Sequence, residues 1–102
     1  MSVVLVNKNN FEEEVIKSDR PVLLDFFASW CGPCRMLSPI VEKIGEEHSE
    51  YKVCKVNVDE EPELAERFEV MSIPSLFVVK DGEVVNASVG ALPEAQILAM
   101  LK

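Results

Sequence analysis

Five short stretches of the chain are rich in apolar residues, mainly Val, Leu and Phe, and each predicts a β-strand. Residues 22–28 and 51–58 have the apolar character of strands that are covered on both faces of a sheet. The Asp81-Gly82 pair lies between the last two stretches and predicts a two-residue hairpin. In chain order, the predicted strands are residues 3–6, 22–28, 51–58, 75–80 and 83–89.

Four other segments carry apolar side chains at helical spacing and predict helices. In chain order they are a helix capped by Asn9 or Asn10 that runs to about Lys17, a helix over residues 33–48, one that Pro62 opens and one that Pro93 opens. Because a strand, a helix and a strand follow one another in the middle of the chain, those two strands pair in parallel through a right-handed crossover. The pattern thus predicts an α/β fold, a central mixed five-stranded β-sheet with four helices on its two faces.

Length and charge narrow the class of protein. The 102 residues are enough for one domain with a modest core, and no repeat or linker divides them, so we expect a single domain over residues 1–102. The net charge of −8 argues against nucleic acid as a partner, because phosphates are repelled. Asp25 interrupts the longest apolar run, so we expect no membrane span. The N-terminal segment lacks the features of a secretory signal, so we expect a cytoplasmic location. We also expect a monomer.

The segment Cys31-Gly32-Pro33-Cys34 carries the strongest chemical signal, at the point where strand 22–28 gives way to a helix. Two thiols one helical turn apart can close and reopen a disulfide ring without large backbone motion. Beside a strand–helix–strand unit, this spacing is an established signature of a redox-active dithiol. The free N–H groups and dipole of the helix N-terminus favour a thiolate at Cys31, the expected nucleophile. Cys34 is expected to be less exposed and to resolve the mixed disulfide.

A zinc site is the main alternative for these cysteines, since Cys31, Cys34, His48 and Cys54 could nominally supply four ligands. However, Cys54 lies in the middle of a predicted buried strand and His48 in the polar end of a helix. We therefore favour redox chemistry and interpret Cys54 as a small buried hydrophobe. The odd number of cysteines also fits a reducing compartment better than a structural disulfide framework.

Asp25 is unusual because it lies among apolar residues, where a carboxylate is costly to bury. A solvent-facing acid at a strand edge is the less favoured interpretation, since apolar residues flank it on both sides. Six residues before Cys31, a buried Asp25 with a raised pKa could exchange a proton with Cys34. Lys55, in the neighbouring strand, either reaches toward Asp25 or extends to the surface, and the sequence leaves both open.

Two more segments are candidates for contact with a substrate. Trp30 lies on the loop just before Cys31, which favours a partly exposed cover over the site. Ile73-Pro74 precedes a predicted strand, and a proline is well suited to a strand start. From the sequence alone, a trans peptide bond is the default there.

Together these residues resemble the thioredoxin family over nearly the whole chain. The most specific string is Trp30-Cys31-Gly32-Pro33-Cys34, and weaker ones occur in the right order around it. The weaker strings are Asp25-Phe26-Phe27-Ala28, Lys55-Val56-Asn57-Val58-Asp59, Ile73-Pro74-Ser75, Lys80-Asp81-Gly82-Glu83 and Val89-Gly90-Ala91. The chain departs from the commonest family pattern at Phe27, where tryptophan is frequent, and at Ser72, where glycine is frequent.

The resemblance implies a thioredoxin fold and a protein-disulfide reductase that carries electrons through its own dithiol. In this scheme Cys31 attacks, Cys34 resolves and Asp25 transfers a proton, with Lys55 as a possible partner of Asp25. Gly32 and Pro33 resemble the reducing branch of the family and would tune the redox potential. The resemblance assigns substrate binding to Trp30, Ile73, Pro74 and Gly90, with Pro74 in the cis form.

The resemblance also implies the partners of the reaction. The substrates would be disulfide-containing proteins, and no cofactor or metal would be bound. Electrons would come from NADPH through a flavoprotein thioredoxin reductase, or from a ferredoxin-linked reductase. A non-catalytic binding module with a thioredoxin fold is the alternative function, and the intact cysteine pair with an acid behind it argues against that alternative.

Overall fold

The computed structural model describes residues 2–102, so Met1, the first residue of the expected domain, lies outside the described residues. Its centre is a mixed five-stranded sheet with the strand order β1-β3-β2-β4-β5. β3 pairs in parallel with β1 and β2, whereas β4 pairs antiparallel with β2 and β5. The strands are β1 (Val3–Leu5), β2 (Val22–Phe27), β3 (Lys52–Asn57), β4 (Ser75–Lys80) and β5 (Glu83–Val89). The predicted sheet is confirmed, with ends that shift by one residue at most.

Four helical segments flank the sheet, as predicted. They are a π-helical segment (Glu12–Ile16), α1 (Gly32–Glu47), α2 (Pro62–Arg67) and α3 (Glu94–Leu101). The predicted N-cap at Asn9 or Asn10 is wrong. The Asn7 side-chain oxygen accepts the backbone N–H groups of Asn9 and Asn10, at 2.8 and 3.0 Å. Because asparagine readily bonds to the backbone two or three residues on, this turn forms first and the helical segment starts later.

The helices divide into two layers because side chains alternate between the two faces of each strand. On one face, Leu24, Phe26 and Cys54 pack with Val15 of the π-helical segment and Leu64 of α2. On the other, Leu23, Val53 and Leu76 pack with residues of α1 and α3. The residues from these two helices are Leu37, Val41, Ile44, Ile97 and Leu101. The prediction of helices on both faces of the sheet is therefore confirmed.

The Asp81-Gly82 hairpin is also confirmed. Both residues have positive φ, at 52° and 80°, as a tight turn between two twisted strands requires. At the carboxyl end of β2, the chain leaves the sheet after Phe27 and enters α1 at Gly32. Because this loop lies at the carboxyl ends of the parallel strands β2 and β3, it holds Cys31 at one edge of the sheet. No helix within residues 2–102 is long and apolar enough to cross a bilayer.

Candidate active site

Cys31 and Cys34 form a disulfide across the first turn of α1, with their Cα atoms 5.3 Å apart. Cys31 occupies the N-cap position with extended backbone angles, and its Sγ accepts the backbone N–H of Cys34 at 3.2 Å. Pro33 lies in the first turn of α1, where its missing N–H removes no helical hydrogen bond. The N-terminus of α1 therefore directs a hydrogen-bond donor at the Cys31 sulfur, which favours the charged form once the disulfide is reduced.

Exposure does not separate the two cysteines. Each is 4% exposed, so the expectation that Cys34 is the less exposed of the pair does not hold. Cys31 is covered because it packs in one small cluster with Ala28 and Cys34, against which Ile73 rests. What distinguishes the two cysteines is the backbone, since Cys31 precedes the helix and Cys34 lies inside it.

The loop before β4 brings the predicted substrate-binding residues to the disulfide. The Ile73-Pro74 peptide bond is cis, as the family resemblance implies and against the trans default. The Cys31 Sγ lies 3.9 Å from the carbonyl oxygen of Ile73. Gly90 donates its backbone N–H to the Pro74 carbonyl at 2.8 Å, with a φ of 96° that favours glycine. Ile73 thus lies beside the disulfide, and Gly90 is joined to the neighbouring Pro74 through the backbone.

Trp30 directly precedes Cys31 and is 66% exposed, which agrees with the expected partial exposure. Its indole N–H donates to the Asp59 carboxylate at 2.8 Å, a partner that the sequence did not identify. Beside it lies a groove of about 200 Å³ whose lining side chains are all uncharged. The groove is lined by Trp30, Val58, Ala65, Val70, Met71, Ser72 and Ile73. In a chain with a net charge of −8, this uncharged groove is suited to an apolar side chain.

Asp25 lies in the central strand β2 and is 1% exposed, so the solvent-facing interpretation is wrong. Its Oδ1 atom has no hydrogen-bond partner among residues 2–102. Burial raises the pKa of Asp25 from 3.8 to about 6, and the positive charge of Lys55 partly opposes this rise. A carboxyl group with this pKa is mostly ionised at neutral pH yet is easily protonated, as a proton-transfer group requires.

Lys55 is registered directly opposite Asp25 across β2 and β3, and both side chains are on the α1 face of the sheet. Nevertheless, the ion pairs within residues 2–102 do not include this one. The Lys55 ammonium instead donates to the Ser38 hydroxyl at 2.7 Å and lies 4.6 Å from the centre of the Phe27 ring. The structure therefore does not pair Lys55 directly with Asp25, and its charge acts over a distance.

The four residues of the zinc alternative do not converge. Cys54 is fully buried on the opposite face of the sheet, in the cluster with Leu24. His48 follows the far end of α1, and the sixteen residues of this helix separate it from Cys31. Burial also raises the pKa of the Cys54 thiol to about 12, which keeps it uncharged. The interpretation of Cys54 as a small buried hydrophobe is supported.

Comparison with known proteins agrees with this geometry. The family model described as Thioredoxin matches residues 2–102. Thioredoxin of Porphyra purpurea is 47% identical over 99% of this chain and 95% of its own length. Thioredoxin of Rickettsia bellii is 50% identical over 83% of this chain and 82% of its own length. Thioredoxin of Streptomyces clavuligerus is 47% identical over 91% of this chain and 87% of its own length. The chain therefore belongs to the thioredoxin family.

Proposed function

We propose that this protein-disulfide oxidoreductase works as a reductase in which Cys31 attacks a substrate disulfide and Cys34 resolves the resulting mixed disulfide. The observation that carries this assignment is the hydrogen bond from the Cys34 N–H to the Cys31 Sγ, at the start of α1. It favours negative charge on Cys31 rather than on Cys34. The thiolate is the nucleophilic form of cysteine, so Cys31 reacts first.

In the first step, the Cys31 thiolate attacks one sulfur of the substrate disulfide. A bond forms between Cys31 and that sulfur, and the substrate disulfide breaks to release a thiolate. In the second step, the Cys34 thiol loses its proton and attacks the Cys31 sulfur, which frees the second substrate sulfur. The two electrons of the dithiol are now on the substrate, and the chain holds the Cys31–Cys34 disulfide.

Asp25 is the proposed acceptor of the Cys34 proton. Its burial on the α1 face and a pKa of about 6 support this role, because the carboxylate form predominates at neutral pH. The proton then moves to a released substrate thiolate, so charge and protons balance over the two steps. Lys55 assists from a distance by moderating the pKa of Asp25.

The substrate is proposed to be an extended segment of a disulfide-containing protein. The backbone of Ile73 lies against Cys31, and the uncharged groove beside Trp30 can take a neighbouring apolar side chain. Pro74 and Gly90, bonded to one another through the backbone, hold that edge in place. Gly32 and Pro33 are exposed between the two cysteines, where they tune the redox potential of the pair.

Re-reduction completes the cycle. We assign it to a thioredoxin reductase, either a flavoprotein that takes electrons from NADPH or a ferredoxin-linked enzyme. The free, buried Cys54 supports a reducing compartment, and we place the protein in the cytoplasm as a monomer of one domain. The net charge of −8 supports protein partners over nucleic acid.

Trapping of the intermediate tests the assignment of roles. In Cys34→Ser, the first step still occurs and the second cannot, so mixed disulfides with substrate proteins accumulate through Cys31. They are detected on a non-reducing gel and by mass spectrometry, and they disappear on addition of dithiothreitol. Cys31→Ser is the matched control and traps nothing. If Cys31→Ser traps partners and Cys34→Ser does not, the two roles are reversed, and if neither variant does, the chain is a binding module.

A further inference from the structure

Asp25 and Lys55 present a geometric problem. They are directly registered neighbours on adjacent parallel strands, with side chains on the same face of the sheet. Side chains at this register can bring an ammonium and a carboxylate close together, and opposite charges that are partly shielded from water attract each other. The Asp25 Oδ1 nevertheless lacks a hydrogen-bond partner among the described residues, and the Lys55 ammonium bonds elsewhere. The groups that the Lys55 ammonium contacts instead therefore compete with the acid for it.

Two residues of α1 supply the competing contact. Ser38 accepts a hydrogen bond from the Lys55 ammonium at 2.7 Å, and its own hydroxyl donates to Glu42 Oε2 at 2.9 Å. Ser38 and Glu42 are four residues apart, so they lie on one side of the helix. The Glu42 carboxylate polarises the hydroxyl and strengthens its acceptor oxygen, because linked hydrogen bonds reinforce one another. The centre of the Phe27 ring lies 4.6 Å from the ammonium on the sheet side. We call these contacts of Ser38, Glu42 and Phe27 the Lys55 anchor.

The cavities around Lys55 show where this anchor lies. A cavity of about 140 Å³ is lined by Cys34, Ser38 and Lys55 among others. A second, of about 300 Å³, is lined by Lys55 together with Glu42 and Glu46. Lys55 borders both, so this residue lies between the cavity that Cys34 lines and the cavity that the two acids of α1 line.

We propose that Ser38 and Glu42 are positioning residues for disulfide reduction: they tie the Lys55 ammonium to α1, so that Asp25 exchanges its proton instead of being locked in an ion pair. This inference rests on the proposed role of Asp25 in the second step. Neither Ser38 nor Glu42 is hydrogen-bonded to Cys31 or Cys34 within the described residues. Their effect passes through Lys55.

Other charged groups near the pair do not replace this anchor. From α1, the Arg35 guanidinium shares the smaller cavity but is bonded to the Ser29 carbonyl, at 2.9 and 3.2 Å. From β4, the residue registered with Asp25 is the uncharged Leu76. From β1, the residue registered with Lys55 is the uncharged Leu5. Besides Arg35, the titratable residues of α1 that line either cavity are Cys34, Glu42 and Glu46.

The test measures the Asp25 carboxyl directly by carbon-13 NMR titration of the reduced, full-length protein. In Ser38→Ala the ammonium loses its acceptor and moves toward Asp25, so the midpoint of the Asp25 titration falls by about 1 pH unit. Glu42→Gln shifts it in the same direction by a smaller amount, and Ser38→Thr, which keeps the hydroxyl, restores the wild-type value. Ala and Gln are good helix formers, so these variants are expected to fold.

Glu46→Gln is the matched control, because it removes a negative charge beside the same cavity without touching Ser38. It leaves the Asp25 midpoint unchanged. An Asp25 midpoint that stays constant or rises in Ser38→Ala overturns the proposal, as does an equal shift in Glu46→Gln and Glu42→Gln. Insulin-disulfide reduction is measured on the same samples. If Ser38→Ala keeps its turnover and the Asp25 midpoint does not move, the role of Ser38 and Glu42 is rejected and the proposed function stands. If Cys34→Ser fails to trap substrate, the proposed function itself is rejected.

Discussion

Two neighbouring pairs of residues across β2 and β3 show how differently the two faces of the sheet are used. Leu24 and Cys54 are registered partners, both fully buried in the apolar layer under the π-helical segment and α2. One residue further along, Asp25 and Lys55 are registered partners on the opposite face, under α1. A step of one residue therefore separates the apolar face, which we call the inert face, from the face to which we assign the proton transfer, which we call the reactive face.

The comparison teaches that burial does not decide whether a cysteine reacts. Cys31 and Cys34 are each 4% exposed, and Cys54 is fully buried, so all three count as buried. Cys54 has apolar surroundings, and its pKa is raised to about 12, mainly by desolvation. Cys31 instead receives a backbone N–H from the first turn of α1. The hydrogen-bond donor that α1 directs at the Cys31 sulfur, rather than the exposure of the side chain, therefore favours its reactivity.

The largest expected effect comes from removing the sulfur of Cys31, which receives the backbone N–H of Cys34. Cys31→Ser should lower the rate of insulin-disulfide reduction by at least about 100-fold, to the rate seen with dithiothreitol alone, because no other thiol is activated. Cys54→Ser is the matched control from the inert face and should keep most of the activity if it folds. Substantial turnover in Cys31→Ser that disappears in the Cys31→Ser, Cys54→Ser double variant would show that the inert face also reacts.

The fold was largely predictable because local signals and the sheet agree. The apolar runs of β2 and β3 mark strands covered on both faces, and Asp81-Gly82 fits the positive φ of the hairpin. The N-cap of the first helical segment was assigned wrongly because asparagine is a favourable cap at any of positions 7, 9 and 10. Only the structure shows that Asn7 closes the turn.

The site was predictable where chemistry depends on residue type and spacing, and not where it depends on contacts between distant elements. The disulfide and the buried Asp25 follow from strings within one strand and one turn. The bond from Trp30 to Asp59 joins residues 29 positions apart, and the bond from Lys55 to Ser38 joins residues 17 apart. Serine on a helix carries no signal of its partner, so neither contact could be inferred from the sequence.

Asp25→Asn should change both activity and stability by a moderate amount. Without a proton acceptor, turnover at neutral pH should fall on the order of 10- to 100-fold, at or below the lower end for a positioned general base. The same change should raise the free energy of unfolding at neutral pH by about 3 kcal/mol, because it removes a buried charge that lacks a hydrogen bond to Oδ1. Urea unfolding and insulin reduction measure the two effects.

The pH dependence gives the sign of the stability effect. The pKa of Asp25 is raised from 3.8 to about 6, so the folded state binds the proton more tightly than the unfolded state. In the wild type, this group therefore lowers stability progressively as pH rises from 3.8 to about 6, and the loss is complete above that range. The advantage of Asp25→Asn should vanish near pH 3.8. An advantage of the same size at both ends of this range would mean that ionisation of Asp25 is not its source.

The smallest effect is expected at Cys54, and it sharpens the comparison most. Cys54→Ala removes one buried sulfur from the apolar layer and should lower the free energy of unfolding by only about 1 kcal/mol, similar to the loss of a methyl-sized group. Insulin reduction should stay close to the wild-type rate, because no step passes through that face. In the reduced wild-type protein, iodoacetamide should modify Cys54 only on unfolding, since its thiol is fully buried and its pKa is about 12. Rapid modification of Cys54 in the folded protein would contradict the division between the two faces, because it would require the apolar layer to open as readily as the active site.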